Sequence, residues 1–223
     1  MSLLKIYSYV IKEDRGLSPN PFWDYCTLAI DQPLIRQIAQ VGDWVVGLRE
    51  TSKEIENHTL VFAMQITEKL TYEEYWKNPR FSGKIPDFTI EDHIQTLGDN
   101  IYKPIDGDFE QVFSWRSKEH FATEEEWLKQ KKEDLQGKYV LISDRKYYYY
   151  FGKESIKLPS IELTDILYCD IGHKCIADPE VPQEFLDFIE DLKQHKKVGF
   201  IAQPEIWPKD DESYVQCMID EEK

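Results

Sequence analysis

The order in which strand-like and helix-like segments follow one another constrains this chain more than any single motif. Leu4, Ile6, Tyr9 and Ile11 lie in a β-prone opening run, broken by the polar, glycine-containing residues 13–16. Residues 26–30, 44–48 and 60–66 read as further short strands, the last two joined as a hairpin or sheet edge by a charged stretch. Residues 138–142 and 147–151 add two more around a turn at 143–146. Helices fall between these strands at irregular intervals. Asp31 and Pro33 open a short one with Leu34, Ile35 and Ile38 as its apolar face. Thr71 with Glu74, and Thr123 with Glu126, have the spacing of a capping box; Asn78-Pro79 and Gly137 supply the stops. The strongest helical pattern is Phe185, Phe188, Ile189 and Leu192, with acids early and lysines late. Without the regular βα alternation of a parallel sheet, the pattern predicts an α+β fold around a curved, mostly antiparallel sheet with inserted helices and long loops.

The loops carry their own constraints. Pro19 and Pro21 flank Asn20 and exclude helix, so residues 17–22 form an irregular segment that projects Phe22. Glycines and prolines between Gly83 and Gly107 predict long loops of the kind that serve as lids or binding segments. A chain of 223 residues with 41% hydrophobic and 13% aromatic side chains can bury one large core, expected over residues 1–208. Residues 209–223, with six acidic and two basic side chains, read as an acidic C-terminal tail.

Charge excludes some functions. Against 42 acids stand 27 bases, a net −15, which opposes tracking along an extended nucleic-acid duplex but permits one small anionic ligand or one flipped base. No run approaches the length of a membrane span, and no basic segment followed by an apolar one signals secretion. Cys26, Cys169, Cys175 and Cys217 are scattered as reduced thiols usually are, so a cytoplasmic location is expected.

Aromatic density is the main chemical feature. Phe22, Trp23 and Tyr25, then Tyr72, Tyr75 and Trp76, then Tyr147–Tyr150 supply faces on which a nucleobase stacks, with core packing as the ordinary alternative. Alternation along a strand would send Tyr147 and Tyr149 to one side and Tyr148 and Tyr150 to the other. Cys169, His173 and Cys175 carry zinc-ligating atoms but not the paired-cysteine spacing of a structural site. His173 and Lys174 could instead face an anion, and Cys26 or His173 are the candidate nucleophile and acid–base group. There is no phosphate-cradling loop, dinucleotide fingerprint, zinc-protease helix or nucleophile elbow, and no cofactor is expected.

The blocks YSYVIKEDRGLSPNPFWDYCTLAI, PLIRQIAQVGDWVVGL, LVFAMQITEKLTYEEYWKNPRF, GDNIY, VLISDRKYYYYFG and GHKC, in that order, resemble the second type of nucleotide-modification-associated domain, a family of bacteria and their phages. The resemblance implies a context in DNA or nucleotide modification rather than a defined reaction. Its GDWVVG strand is also similar to small β-barrels of the pseudouridine-synthase-associated and modified-base-reader kind, which offers a barrel as the alternative architecture. By position, the resemblance marks Asn20, Phe22, Tyr25, Thr27, Asp43, Trp44, Tyr75, Trp76, Arg80, Asp99, Asn100, Tyr102, His173 and Lys174. The pocket expected from them uses Asn20 and Asn100 on base edges, Tyr25 or Trp76 for stacking, and Arg80 with Lys174 on phosphate. Between Gln111 and Ser117 the chain departs from the family pattern: SWRS stands where a histidine-containing stretch is expected, which weakens an enzymatic reading.

Three functions follow in order of preference. The first is a module that binds a nucleotide or modified base, the second an enzyme acting on one, and the third an acidic partner-binding or DNA-mimic protein. The oligomeric state is left open.

Overall fold

The structure is a computed structural model that describes residues 4–195 and 197–207; the acidic tail expected over 209–223 lies outside the described residues. Its largest sheet has six strands: β1 (Lys5–Val10), β3 (Trp44–Arg49), β4 (Thr59–Gln65), β9 (Tyr148–Tyr150), β10 (Lys174–Ala177) and β11 (Gly199–Phe200), in the order β10-β1-β3-β4-β9-β11. The β1/β3 and β9/β11 pairs are parallel and the others antiparallel. A second, antiparallel sheet runs β2 (Tyr25–Leu28), β8 (Tyr139–Asp144), β5 (Glu68–Thr71), and β6 (Tyr102–Ile105) pairs with β7 (Asp108–Gln111) as a hairpin. The fold is therefore α+β with mixed, mostly antiparallel sheets. The barrel alternative is corrected: among the described residues the large sheet stays open, with β10 and β11 as its edges.

Six α-helices complete the described residues: α1 (Pro33–Ile38), α2 (Tyr72–Lys77), α3 (His93–Thr96), α4 (Glu124–Gln136), α5 (Ile161–Leu167) and α6 (Gln183–Gln194). None is long and apolar enough to cross a membrane. Both predicted capping threonines accept from the backbone N–H three residues on, and at α2 Glu74 closes the box by accepting from the Thr71 N–H.

Side-chain alternation sorts the large sheet into two cores. On one face Ile6, Trp44, Val46, Leu48, Ala63 and Tyr149 pack under α5 and α6 through Leu163, Leu167, Phe185, Ile189 and Leu192. Full burial of each such side chain stabilises by about 1.5–3 kcal/mol. On the other face Tyr7, Tyr9, Val45, Met64, Tyr148 and Tyr150 meet Cys26, Leu28 and Leu141 of the second sheet and Ile35 of α1. Tyr148 and Tyr150 thus oppose Tyr149, as alternation requires, while Tyr147 leaves the strand in a turn and is exposed. Beyond the second sheet a third cluster joins Val140 and Ile142 to Tyr72, Tyr75, Phe81 and Tyr102.

Two helices depart from their sequence pattern. In α1 only Ile35 of the expected apolar face is buried, and Leu34 and Ile38 face solvent. In α4 Leu128 is exposed and the fully buried residue is Asp134, so the helix docks through a polar contact beside Leu135, which packs against the third cluster.

Gly47 marks the point where the β3/β4 register shifts. A Cβ there would overlap the Phe62 ring and the Ile11 side chain, so only glycine lets the strands approach. Gly47→Ala is expected to cost about 1–3 kcal/mol by overpacking, read as a fall of several degrees in the thermal unfolding midpoint. An unchanged midpoint would show that the neighbouring side chains yield freely.

Candidate functional site

The proline-flanked loop is held as an extra rung on β2. Asn20 and Thr27 exchange backbone hydrogen bonds of 2.8 and 2.9 Å, and the Ser18 hydroxyl donates to the Ile30 carbonyl at 2.9 Å. With Pro19 and Pro21 lacking N–H groups, Asn20 is the residue of that triplet able to make both bonds. Inside this rung lies a fully buried polar network. Lys84 Nζ donates to Asn20 Oδ1 at 2.5 Å and to the Asn20 carbonyl at 3.1 Å, while Asn20 Nδ2 donates to the carbonyls of Gly16 and Leu97. Asp99 accepts from Thr27 Oγ1 at 2.5 Å and from Tyr75 Oη at 2.7 Å, and Asn100 Nδ2 reaches the carbonyls of Tyr75 and Phe81. Burial raises the Asp99 carboxyl above its ordinary value, partly offset by the Lys84 charge and the two hydroxyl donors.

A second network lies on the other side of the loop. Arg36 is completely buried and donates to the carbonyls of Asp31, Asp134 and Tyr139 and to Tyr72 Oη. The Asp134 carboxylate accepts from the Asp31 N–H, Gln130 Nε2 and Tyr102 Oη, at 2.9, 3.2 and 2.9 Å. Arg116 pairs with Asp31 Oδ1.

Between this second network and the end of β1 opens a cavity of about 460 Å³. Its walls come from Tyr9–Glu13, from Ser18, from Asp31, Gln32 and Pro33 at the start of α1, and from Gln130, Glu133 and Asp134 of α4. Asp31 and Gln32 hold φ of 56° and 43°, the left-handed region that non-glycine residues seldom occupy. Tyr9 is 4% exposed, and its hydroxyl has no hydrogen-bond partner. Burial foremost, and then the Asp31 charge, push this phenol well above its ordinary pKa, so it stays a neutral hydroxyl inside the protein.

The residues marked in the sequence fall into three places. Asn20, Thr27 and Asn100 meet, with Tyr75 and Asp99, in the Lys84 network, their polar atoms bonded to the protein itself. Tyr102 belongs to the Asp134 network behind the cavity. Phe22 is buried against Trp23 and Phe200. Tyr25 packs on Phe81, and Arg80, over that same pair of rings, is held by both carboxylate oxygens of Glu68 at 2.9 Å. Trp76 is half-buried on α2 and does not line the cavity. His173 and Lys174 lie at the β10 edge of the large sheet, His173 near the Tyr7 ring and Lys174 donating to the Asp165 carbonyl, so the pocket expected to combine them with Asn20 is not assembled. Asp43 completes the turn before β3, accepting from the Lys5 and Gln40 N–H groups, and Trp44 is core.

For the catalytic and metal candidates the geometry is equally plain. Cys26 is buried completely, and burial raises its thiol pKa, which keeps it protonated and out of reach of solvent. Cys169, His173 and Cys175 do not form a three-ligand group, nor does any other set of histidine, cysteine and carboxylate side chains among the described residues. Sequence reasoning missed Tyr9, Lys84, Arg36 and Asp134. The available signal was a charged residue inside an otherwise apolar or loop context: Arg36 between Ile35 and Ile38, and Asp134 beside Leu135.

Lys84 supplies a direct test of the first network. Removal from water pulls its ammonium down from 10.5 to about 8, with Asp99 and then Cys26 opposing the shift. The folded chain therefore holds fewer protons on Lys84 than the unfolded chain between those two values, so the penalty is full below about pH 8 and fades toward about pH 10.5. In thermal unfolding, the native protein should gain stability relative to Lys84→Met across that window. A pH-independent gap between the two would show that Lys84 is not depressed.

The family model named nucleotide modification associated domain 2 matches residues 3–211 of the 223-residue chain. Neither a curated protein nor a solved structure matches it. Because the match spans both sheets, the cavity and the two buried networks, the chain belongs to the nucleotide modification associated domain 2 family.

Proposed function

We propose that this chain is a binding module that takes a nucleoside or modified base into the cavity at the end of β1. The observation that carries the reading is the cavity itself, which brings the polar residues Ser18, Asp31, Gln32, Gln130 and Asp134 together at the end of β1. A volume of about 460 Å³ lies within the range of small-molecule sites. The remaining polar atoms are pre-positioned: Asp134 by three donors, Asp31 by Arg116, and Ser18 by the Ile30 carbonyl. Family membership supports a setting in nucleotide modification.

Binding is favoured over catalysis by the residue types present. The cavity lining holds no histidine or cysteine; Asp31 is engaged by Arg116, and burial raises the Asp134 carboxyl above its ordinary value, partly offset by the Arg116 and Arg36 charges.

Two measurements test this, one on Tyr9→Phe and one on the native chain. Loss of an unpartnered buried hydroxyl should leave the free protein as stable as before or up to about 1 kcal/mol more stable. A nucleoside should stabilise the native chain by about 2.7 kcal/mol at a hundredfold excess over Kd. Nucleosides that shift neither protein would overturn the assignment, and product formation from any of them would convert it to an enzyme.

A further inference from the structure

We propose a second binding site, for a quaternary ammonium group on a small organic molecule, at the aromatic cluster formed where residues 85–96 meet residues 111–121. It does not depend on the reading of the cavity, since none of its rings lines that cavity.

Four side chains close a circuit there. Ring centroids lie 4.7 Å apart for Phe88 and Phe113, 5.3 Å for Phe88 and Trp115, 4.9 Å for Trp115 and His120, and 6.3 Å for Phe113 and His120. The interplanar angles run from 45° to 71°, so no ring of the circuit covers its neighbour by parallel stacking. All four are half-buried and keep part of their surface in solvent. The face of an aromatic ring is negative, and tilted rings grouped at a surface can offer more than one face to a single positive charge.

Both segments are held in shape by their own hydrogen bonds. Across the SWRS stretch the Ser114 N–H donates to Ser117 Oγ at 2.8 Å, and the Ser117 N–H donates to the Ser114 carbonyl at 2.9 Å. Trp115 Nε1 donates to Thr96 Oγ1 at 3.1 Å, which ties this stretch to the other segment. There the Asp87 N–H donates to the Gln95 carbonyl at 2.9 Å. A site fixed before its ligand arrives loses less freedom on binding.

Charge sets the sign of the ligand. Asp87, Glu91, Asp92 and Glu119 belong to these segments, with Glu91 and Glu119 exposed. The Thr89 hydroxyl and N–H, at 2.6 and 2.8 Å, hold the Asp87 carboxyl below its ordinary value and so ionised. The cations of the same segments are engaged: Arg116 pairs with Asp31, and Lys118 with Glu124 at 3.2 Å. Burial lowers the His120 pKa against the opposing Glu119 charge, so the imidazole is neutral near pH 7 and adds no positive charge. A primary ammonium gives up strong hydration to reach such rings, whereas a quaternary one gives up less and packs its methyl groups on them.

Nuclear magnetic resonance of the full chain tests the site at the Trp115 indole N–H, identified by the loss of its signal in Trp115→Phe. The probes are choline and its uncharged isostere 3,3-dimethylbutan-1-ol. Choline should bind about fivefold more tightly than the isostere, because only the cation gains from the ring faces. Phe88→Leu, which keeps apolar bulk and removes one ring, should weaken choline by about threefold and leave the isostere within about twofold. The contrast between the probes is read on the native chain and stands whether or not the variant folds. Equal or tighter binding of the isostere would reduce the cluster to apolar contact and overturn the proposal. So would a Trp115 signal that moves with neither probe, or one that moves with a trimethyllysine peptide but not with choline.

Discussion

The buried guanidinium of Arg36 ties together more of this molecule than any apolar contact. From a six-residue helix it donates to Asp31 ahead of its own helix, to Tyr72 of α2, to Asp134 of α4 and to Tyr139 of β8. Losing the guanidinium would take this donor from the Asp31 and Tyr139 carbonyls, while the Asp134 carbonyl would keep Tyr72 Oη and the Gly137 N–H. Space is reserved for it as well: a Cβ at Gly137 would overlap the guanidinium, which explains why α4 ends on glycine where the chain turns into β8. A charge so placed does not maximise stability, but it is directional, and it fixes the position of α4 together with Leu135.

Lys84 does the same on the other side of the proline-flanked loop. Its ammonium holds both oxygens of Asn20, and Asn20 in turn holds Gly16 and Leu97. The loop that carries Ser18 into the cavity wall is thereby pinned from beneath by Lys84, and α4 and the start of α1 are pinned by Arg36. The two buried cations are scaffolding for the cavity between them. That arrangement gives Asn20, Thr27, Tyr75 and Asp99 a physical reason to occur together without any of them touching a ligand.

Local rules are broken where the cavity opens. Asp31 and Gln32 take left-handed backbone conformations, Tyr9 buries a hydroxyl without a partner, and α4 turns a carboxylate inward. Such departures cost stability and persist where the surroundings over-determine them, which is commonly at functional sites. The SWRS segment, flagged as a departure from the family pattern, delivers Arg116 to Asp31 at this same place. What looked like the loss of a catalytic stretch is, in the fold, the neutralisation of a cavity carboxylate.

The sequence by itself determined the α+β class, most of the strands, both threonine caps and the opposed faces of Tyr148, Tyr149 and Tyr150. Each of these depends on a period of two, on hydrogen bonds spanning three residues, or on proline and glycine geometry, and all are local. The β6/β7 hairpin, β10 and β11 were not legible, because short strands draw their stability from partners distant in the chain. The residues assigned to a pocket were likewise only half resolved. Asn20, Thr27 and Asn100 do gather, but around Lys84 and inward, whereas Arg80, His173 and Lys174 lie apart from them. Residue type records what a side chain is able to bond, and only the tertiary structure decides whether its partner is the protein itself or an open cavity. For Tyr9 that decision left one hydroxyl without a partner, which no pattern of spacing along the chain could have revealed.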